Sequence, residues 1–216
     1  MTAIPDAVFS LCAGHPTLDL VNTFDNRFHP DGPVELLTDY RDLLAFMEQS
    51  RLLDDEAVQT LGHHMTEAEH VTEARHTDEA ELTLKSVREL REAAASVLYA
   101  VVDGSIPPAA DVQTLERHTQ TAHQHQKLLW TPGNGDSKFV WTWRTLQSEP
   151  GLPLWILASQ TSVLLTSDAL RLLRTCHAET CRWLFLDTSK NHTRRWCDMK
   201  VCGNRMKARR FQARRM

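Results

Sequence analysis

The chain has 216 residues, of which 42% are hydrophobic, and a formal net charge of −4 at pH 7. This length fits one large folded domain with a small additional module, and no apolar run approaches the roughly 20 residues that a membrane helix needs. Because the amino terminus lacks the basic start and the long apolar run of a secretory signal, we expect a cytoplasmic protein in a reducing compartment, with no membrane partner.

Two helices are predicted near the start of the chain. A short one is expected in HPTLDLVNTFDNR with Thr17 as its cap, and an amphipathic one is expected to begin near Thr38. The first segment also contains the polar residues of a candidate small-molecule site: His15, Asp19, Asn22 and Arg27. These side chains either converge on a ligand or cap and cross-link the helix, and the residue types allow both.

Three further helices are predicted along the middle of the chain. The longest is expected over residues 77–103, with Leu82 among the apolar residues that face the core and Gly104 ending the helix. After a Pro-Pro break, the next helix is expected to have Asp111 as its cap. An apolar helix over residues 152–173 then leads towards the carboxyl terminus without a Gly or Pro linker, which predicts a rigid connection.

Residues 127–145 change from the helical pattern to an alternating one around a PGNGDS turn, which predicts a two-stranded hairpin. The segment is rich in aromatic residues, namely Trp130, Phe139, Trp141 and Trp143. We expect them to pack the hairpin against the helices, since a lone hairpin needs a hydrophobic backing. A ligand pocket lined by these rings is the alternative.

Four of the five cysteines lie in the last 41 residues, spaced as Cys176-x4-Cys181-x15-Cys197-x4-Cys202. Zinc prefers four ligands in a tetrahedron and binds thiolates well, so two such pairs predict one structural Zn²⁺ per chain. A closed site of four thiolates leaves no position for water or substrate, which argues against catalysis at the metal. His177 and His192 are weaker candidate ligands, and Cys12 is expected to be a small buried apolar residue.

The cysteine-rich region differs from the rest of the chain in charge. Residues 171–216 contain thirteen Lys and Arg against three acidic residues, a formal +10, whereas residues 1–170 carry a formal −14. Basic surfaces of this density most often meet phosphate backbones. The alternatives are a solvated charged helix, or a tail that folds back on the acidic body.

Local patterns predict how this region folds. Two short strands are expected over residues 183–187 and 193–196, around an SKNH turn, followed by a helix from about Val201. Val201, Ala208 and Phe211 are expected to face the zinc and the hairpin. The predicted DNA contacts are Arg194, Arg195, Arg205, Lys207, Arg209, Arg210 and Arg214. For Arg205 and its neighbour Asn204 we favour bracing of the zinc site over DNA contact.

The carboxyl-terminal region resembles the CGNR zinc finger through LFLDTSKNHTRRWCDMKVCGNRMKARRFQARR and the two preceding cysteines. The finger is named for Cys202, Gly203, Asn204 and Arg205. The body resembles the ABATE-type domain that accompanies this finger in bacterial stress-induced transcription regulators, through HPTLDLVNTFDNR, DLLAFMEQSRLL and VRELREAAASVLYAVVDGSIPPAADVQTL. The resemblance implies a zinc-dependent DNA-binding carboxyl terminus and a mainly helical regulatory amino terminus. The segment CHAETC departs from the pattern, since it lacks the proline and glycine expected there.

The predicted fold is mainly α with a small β-hairpin. It comprises a helical ABATE-like regulatory domain over residues 1–170 and a treble-like zinc finger, with its hairpin and basic helix, over residues 171–216. The predicted function is a zinc-dependent transcriptional regulator that binds double-stranded DNA and senses a small-molecule effector or a stress signal. A zinc-stabilised module that binds RNA or protein is the alternative.

Two further expectations concern assembly and chemistry. Because one short finger seldom gives enough affinity for DNA, a homodimer on two half-sites is expected. The chain contains no nucleophile-elbow, P-loop or HExxH motif, so we do not expect an enzyme.

Overall fold

The computed structural model describes the backbone of residues 9–63, 71–133, 138–144 and 149–213, and every side chain in these ranges except those of residues 71–77, 210 and 213. Its helices are α1 (Pro16–Asn22), α2 (Tyr40–Gln49), α3 (Asp55–His63), α4 (Val71–Val102), α5 (Ala109–Gln124), α6 (Leu152–Thr166) and α7 (Asn204–Ala213). Its strands are β1 (Phe24–Asp25), β2 (Val34–Glu35), β3 (Gln126–Thr131), β4 (Lys138–Trp143), β5 (Leu173–Thr175) and β6 (Leu184–Leu186). Antiparallel pairs form between β1 and β2, β3 and β4, and β5 and β6. The predicted mainly helical fold with small hairpins is confirmed.

Helix α4 lies at the centre of the body and contacts α1, α2, α5 and α6. Its buried face includes Val87, Leu90 and Leu98, each fully buried. Helix α6 is apolar on most of its surface because it packs against α1, α2, α4 and α5. Within the described residues, no helix is both long enough and apolar enough to cross a membrane.

The first two helices begin close to their predicted positions, but the residue that caps the first helix differs from the prediction. Helix α1 is capped by His15, whose Nδ1 accepts a hydrogen bond from the Thr17 N–H at 3.2 Å, so the prediction of Thr17 as the cap is wrong. Pro16 occupies the first helical position, where a missing N–H costs nothing. Helix α2 begins at Tyr40, close to the predicted start, after Asp39 as its cap.

Two expectations about the longer helices are also corrected. Leu82 is 62% exposed, because Ala80 and Leu84 lie on the buried face and residues two apart on a helix point in nearly opposite directions. Helix α5 begins after Pro108, and the Asp111 carboxylate instead accepts a hydrogen bond from the Ser96 hydroxyl on α4 at 2.5 Å. Gly104 follows the end of α4 with a φ of +67°, which glycine adopts readily.

The predicted helix over residues 152–173 is interrupted at Ser167, whose backbone is extended. Helix α6 ends at Thr166, and a 3-10 turn at Asp168–Leu172 leads into β5. Strand β5 pairs with β6, with Leu173 opposite Leu186 and Thr175 opposite Leu184. This pair joins the carboxyl-terminal module directly to the body.

The strand pairing predicted within the module is wrong. Residues 193–196 form no strand, and the partner of β6 is β5. Asp187 explains the difference: it is fully buried, and its carboxylate accepts hydrogen bonds from the Ser189 N–H at 3.0 Å and the Arg194 N–H at 2.9 Å. A buried carboxylate that binds nearby backbone donors favours a loop over a strand ladder. These bonds, with the one from the Ser189 hydroxyl, lower the pKa of Asp187.

Candidate metal centre and basic surface

The four cysteines of the predicted zinc site lie together at the base of the module. Their sulfur atoms all lie within 4.8 Å of one another, and all four residues are buried. The Sγ of Cys197 lies 3.6 Å from that of Cys181 and 3.7 Å from that of Cys202. Four sulfurs at the usual Zn–S distance of about 2.3 Å stand about 3.8 Å apart, so the cluster has the size of a four-thiolate zinc site. The predicted single zinc ion therefore fits here.

Each cysteine pair is held by a tight turn. In the first, the N–H groups of Cys181 and Arg182 both donate to the Ala178 carbonyl, at 2.9 and 3.2 Å. Arg182 has a φ of +51°, which reverses the chain immediately after the second thiol. In the second, the Asp198 carboxylate caps the π-helical turn Met199–Gly203 by accepting from the N–H groups of Lys200 and Val201. The sequence CHAETC thus forms its turn without the proline and glycine of the family pattern.

The residues directly after Cys202 contact the loop that carries the last two cysteines, and so stabilise the site. A Cβ at Gly203 would meet the end of the Met199 side chain and lie 3.2 Å from the Trp196 ring, so a larger residue here would have to displace Met199. Asn204 donates to the Lys200 carbonyl at 3.1 Å. Arg205 donates from Nη2 to the Cys202 sulfur at 3.2 Å, which stabilises a negatively charged thiolate. These contacts agree with the bracing roles that we favoured for Asn204 and Arg205.

The module is docked on the body by hydrogen bonds from several elements. The Asn22 side chain on α1 accepts from the Leu184 N–H at 3.1 Å and donates to the Leu184 carbonyl at 3.0 Å. The Trp183 indole donates to Asp25 at 2.8 Å, and the Tyr99 hydroxyl on α4 donates to the Arg182 carbonyl at 3.0 Å. The cysteines also belong to the same hydrophobic cluster as α4 and α6. The metal site and the body therefore share one core.

Two family models match this chain. One, described as the CGNR zinc finger, matches residues 172–215 and includes all four cysteines. The other, ABATE, described as "Putative stress-induced transcription regulator", matches residues 14–175, about three quarters of the chain. The chain belongs to the ABATE family. Neither description names an enzyme. A search of curated proteins found no match to this chain.

The polar residues of the candidate small-molecule site all have partners inside this ABATE protein. His15 caps α1, and Asp19 accepts from the Ala13 N–H at 3.0 Å. Asn22 holds the CGNR finger, and Arg27 forms a two-bond ion pair with Glu92. Burial raises the pKa of Asp19 to about 6. The arrangement corresponds to the cap-and-cross-link alternative of the sequence analysis.

Cys12 differs from its prediction as a buried apolar residue. It is half-buried; its thiol lies 3.8 Å from the Ser10 hydroxyl, and its carbonyl accepts from the same Arg194 nitrogen as the Cys197 carbonyl. A fifth cysteine therefore lies beside the CGNR site, 164 residues before the first cysteine of the cluster along the sequence. No local spacing pattern could have placed it there. His177 and His192, the weaker candidate ligands, bond instead with Arg195 and with the Asp187 carbonyl.

The predicted DNA contacts fall into two groups in the structure. Arg194 is half-buried: its guanidinium donates to the carbonyls of Cys12, Trp196 and Cys197 and lies over the Phe185 ring at 4.5 Å. It holds the finger together, as Arg205 does. The second group is Arg195, Lys207 and Arg209, which are exposed; Arg205 is exposed as well, but its guanidinium bonds to the Cys202 sulfur. The side chain of Arg210 and all of Arg214 lie outside the described part of the chain.

The orientation of helix α7 corrects one further expectation. Val201 is 60% exposed, Phe211 is 58% exposed and Ala208 is exposed, so these residues do not face the zinc and the hairpin. Met206 is the α7 residue that packs against the core. Asn204 and Arg205, in the first turn of the helix, bond to the metal-site loop, whereas Lys207, Ala208 and Arg209 are exposed.

Proposed function

We propose that this ABATE protein is a transcriptional regulator that binds double-stranded DNA through the CGNR finger and α7. The main observation behind this proposal is a set of exposed cations on α7 and on the loop before Cys197, both of which adjoin the zinc site. Within the described side chains, Arg195, Lys207 and Arg209 are exposed and form no ion pair with a carboxylate. Their charges are therefore available to phosphates.

The zinc site contributes by fixing the basic helix before DNA arrives. Helix α7 is ten residues long, and helices shorter than about 12 residues are marginal in water on their own. Here the helix begins two residues after Cys202 and is anchored by Arg205 and Met206. A helix that is already formed loses less conformational entropy on binding, which favours affinity. The proposed DNA contacts after Arg205 are Lys207, Arg209 and Arg210 on this helix, together with Arg214, which follows the described residues.

Arg194 and Arg205 are assigned to the finger itself in this proposal. Each guanidinium bonds to atoms of the metal site or its loops, so a phosphate contact would compete with those bonds. Arg195, by contrast, is exposed and lies beside the same loop, with its guanidinium 5.6 Å from the Trp196 ring. It is the proposed phosphate contact of the loop.

Regulation is proposed to pass through the contact between α1 and the finger. The two Asn22–Leu184 bonds and the bond from the Leu186 N–H to the Ala13 carbonyl join the start of the body to β6. A small-molecule effector or stress signal that shifts α1 would move β6, and with it the basic helix. In this proposal the predicted boundary between residues 170 and 171 separates a regulatory part from a DNA-binding part, although both parts share one core.

One observation favours a second candidate function. Phe211 is exposed on the same helix as Lys207 and Arg209, and an aromatic ring among cations is a typical stacking platform for unpaired bases. An inward-facing Phe211, as expected from the sequence, would leave the basic helix without such a platform. Its exposure keeps single-stranded RNA as the alternative ligand.

Selection of bound sequences from a random duplex DNA library, with the zinc-loaded full chain, tests the proposal. Enrichment of a defined motif supports a sequence-reading regulator, and uniform retention would indicate an architectural DNA-binding role. Lys85→Ala, an exposed charge removal on α4, is the matched control for Lys207→Ala. Failure to bind duplex while retaining single-stranded RNA, with loss of that binding in Phe211→Ala, would replace the proposal with the RNA alternative.

A further inference from the structure

The β3–β4 hairpin carries an apolar face that the described part of the protein leaves uncovered. Leu128 pairs with Trp141, and Trp130 pairs with Phe139. Paired residues, and residues two apart on a strand, lie on the same face of a hairpin, so all four share one face. Their exposed fractions are 54% for Leu128, 51% for Trp130, 64% for Phe139 and 67% for Trp141. We call these four residues the aromatic face.

The base of the hairpin is firmly attached to the body. Gln126 donates to the Ser159 hydroxyl on α6 at 3.3 Å, and the Arg144 N–H donates to the His125 carbonyl at 2.7 Å. The His125 ring stacks on Trp155 with a centroid separation of 3.4 Å, and Trp143 packs against the core. The expected packing of the aromatic residues on the helices is therefore right for Trp143 and wrong for Trp130, Phe139 and Trp141. An anchored hairpin presents its aromatic face in a fixed direction.

The two faces of the hairpin differ in polarity. The aromatic face carries no charged side chain, whereas Lys127, Thr131, Lys138 and Thr142 alternate onto the opposite face together with Leu129 and Val140. The aromatic face therefore offers no charge for a charged partner to pair with. An uncharged aromatic surface is typical of the centre of an interface between identical subunits.

We propose that the aromatic face is the interface of a homodimer, in which two copies of the chain pack their hairpins face to face. A twofold interface brings the same patch together from both subunits, so the patch must be complementary to itself. A face of aromatic and aliphatic groups with no charge meets this requirement, because no like charges are brought together. Offset packing of the rings would add to the burial.

The exposed area accounts for most of the minimum that such a dimer needs. At ~200 Å² for a fully exposed aromatic side chain, the four residues present about 450 Å² per protomer, or about 900 Å² for a pair. Specific interfaces begin at about 1,000 Å² in total, and neighbouring side chains at the rim would supply the remainder. A patch of several hundred square ångströms with this composition marks an interaction site.

The dimer bears on how the protein would bind DNA. This link rests on the proposed function, whereas the dimer itself does not. Two copies joined at their hairpins would present two CGNR fingers, and a symmetric pair of fingers reads two half-sites. The dimer itself can be measured without DNA. A failure of dimerisation is therefore distinguishable from a failure of the DNA-binding proposal.

Sedimentation equilibrium of the zinc-loaded full chain over a concentration series, without nucleic acid, tests the interface. We expect a dimer for the native chain and for Leu129→Lys, in which the new charge lies on the opposite face at a residue that is 47% exposed. Trp141→Lys is expected to raise the dimer dissociation constant by about 30-fold or more, as loss of a central aromatic anchor does. Phe139→Lys is expected to act in the same way.

Zinc content and far-UV circular dichroism establish that each variant is folded. A native chain that is monomeric throughout the series would overturn the proposal whatever the variants do. So would a dimer that survives both Trp141→Lys and Phe139→Lys, or one that Leu129→Lys disrupts equally. A monomeric native chain that binds vesicles or single-stranded nucleic acid through Trp141 would assign the aromatic face to that other partner.

Discussion

The β5–β6 pair of the CGNR finger and the β3–β4 hairpin are both short antiparallel ribbons rich in apolar residues, yet among the described residues one is largely buried and the other largely exposed. All three residues of β6 are buried, whereas five of the six residues of β3 are exposed. Strand β6 contacts α1, and it bonds to Asn22 and Ala13. The longer hairpin is anchored at its base by Gln126 and Arg144. The same kind of apolar ribbon is therefore part of the core at β5–β6 and an exposed surface at β3–β4, depending on what lies opposite it.

The largest expected effect comes from removing the zinc ion from the CGNR finger, which contains the buried β5–β6 pair. Cys197→Ser should abolish stoichiometric zinc binding, and because the finger shares its core with α4 and α6, it should also lower the unfolding temperature of the body. Structural zinc sites contribute ~10 kcal/mol or more to folding of isolated fingers. Metal analysis with thermal unfolding measures both. Cys12→Ser is the matched control and should retain one zinc per chain; equal loss in both variants would contradict the four-cysteine site.

A matched pair of phenylalanines tests the difference between the ribbons directly. Phe185 on β6 is fully buried beneath Arg194, whereas Phe139 on β4 is 64% exposed. Phe185→Ala should cost about 3 to 5 kcal/mol of unfolding free energy, as cavity formation in a core does. Phe139→Ala should change the stability of the protomer by less than about 1 kcal/mol. Urea unfolding at protein concentrations below the dimer range compares them, and similar costs would show that the longer hairpin is covered after all.

Arg205 sharpens the comparison on the finger side. Its bond to the Cys202 sulfur is expected to stabilise the thiolate, so Arg205→Ala should weaken zinc affinity by about 10- to 100-fold. Competition with a chelator of known affinity measures the change. Arg209→Ala, which removes an exposed charge from the same helix, should leave zinc affinity unchanged. If Arg205→Ala binds zinc as tightly as the native protein, Arg205 returns to the group of proposed DNA contacts.

The smallest effect is expected from Asp19, which lies on the helix that covers the finger. Burial raises its pKa to about 6 from an ordinary 3.8, so folding favours the protonated form. The stability that this group contributes is present below pH 4 and is lost as the pH rises through 6. Asp19→Asn should therefore match the native protein at low pH and exceed it by about 1 to 2 kcal/mol above pH 6. A stability difference independent of pH would show that Asp19 titrates normally.

Sequence reasoning predicted those features that local pattern determines. The zinc ligands followed from cysteine spacing, the longer hairpin from a turn motif between alternating residues, and the fold class from helical periodicity. It missed what depends on distant partners. The placement of Cys12 beside Cys197, the pairing of β6 with β5 and the bonds of Arg194 all involve contacts that no local spacing specifies. The exposure of Trp141 could not be predicted either, since burial depends on the covering element rather than on the strand.

The central claim is that a zinc-anchored helix presents free cations to DNA. Titration of the zinc-loaded full chain with duplex DNA at several salt concentrations tests it most directly, comparing the native protein with the double variant Lys207→Glu and Arg209→Glu. Both residues are exposed, so zinc content should be unchanged. We predict a large loss of affinity and a log–log salt slope that is shallower by about 2 units, since each lost phosphate contact removes about 0.9. Unchanged affinity and unchanged slope in a variant that still holds one zinc would contradict the account.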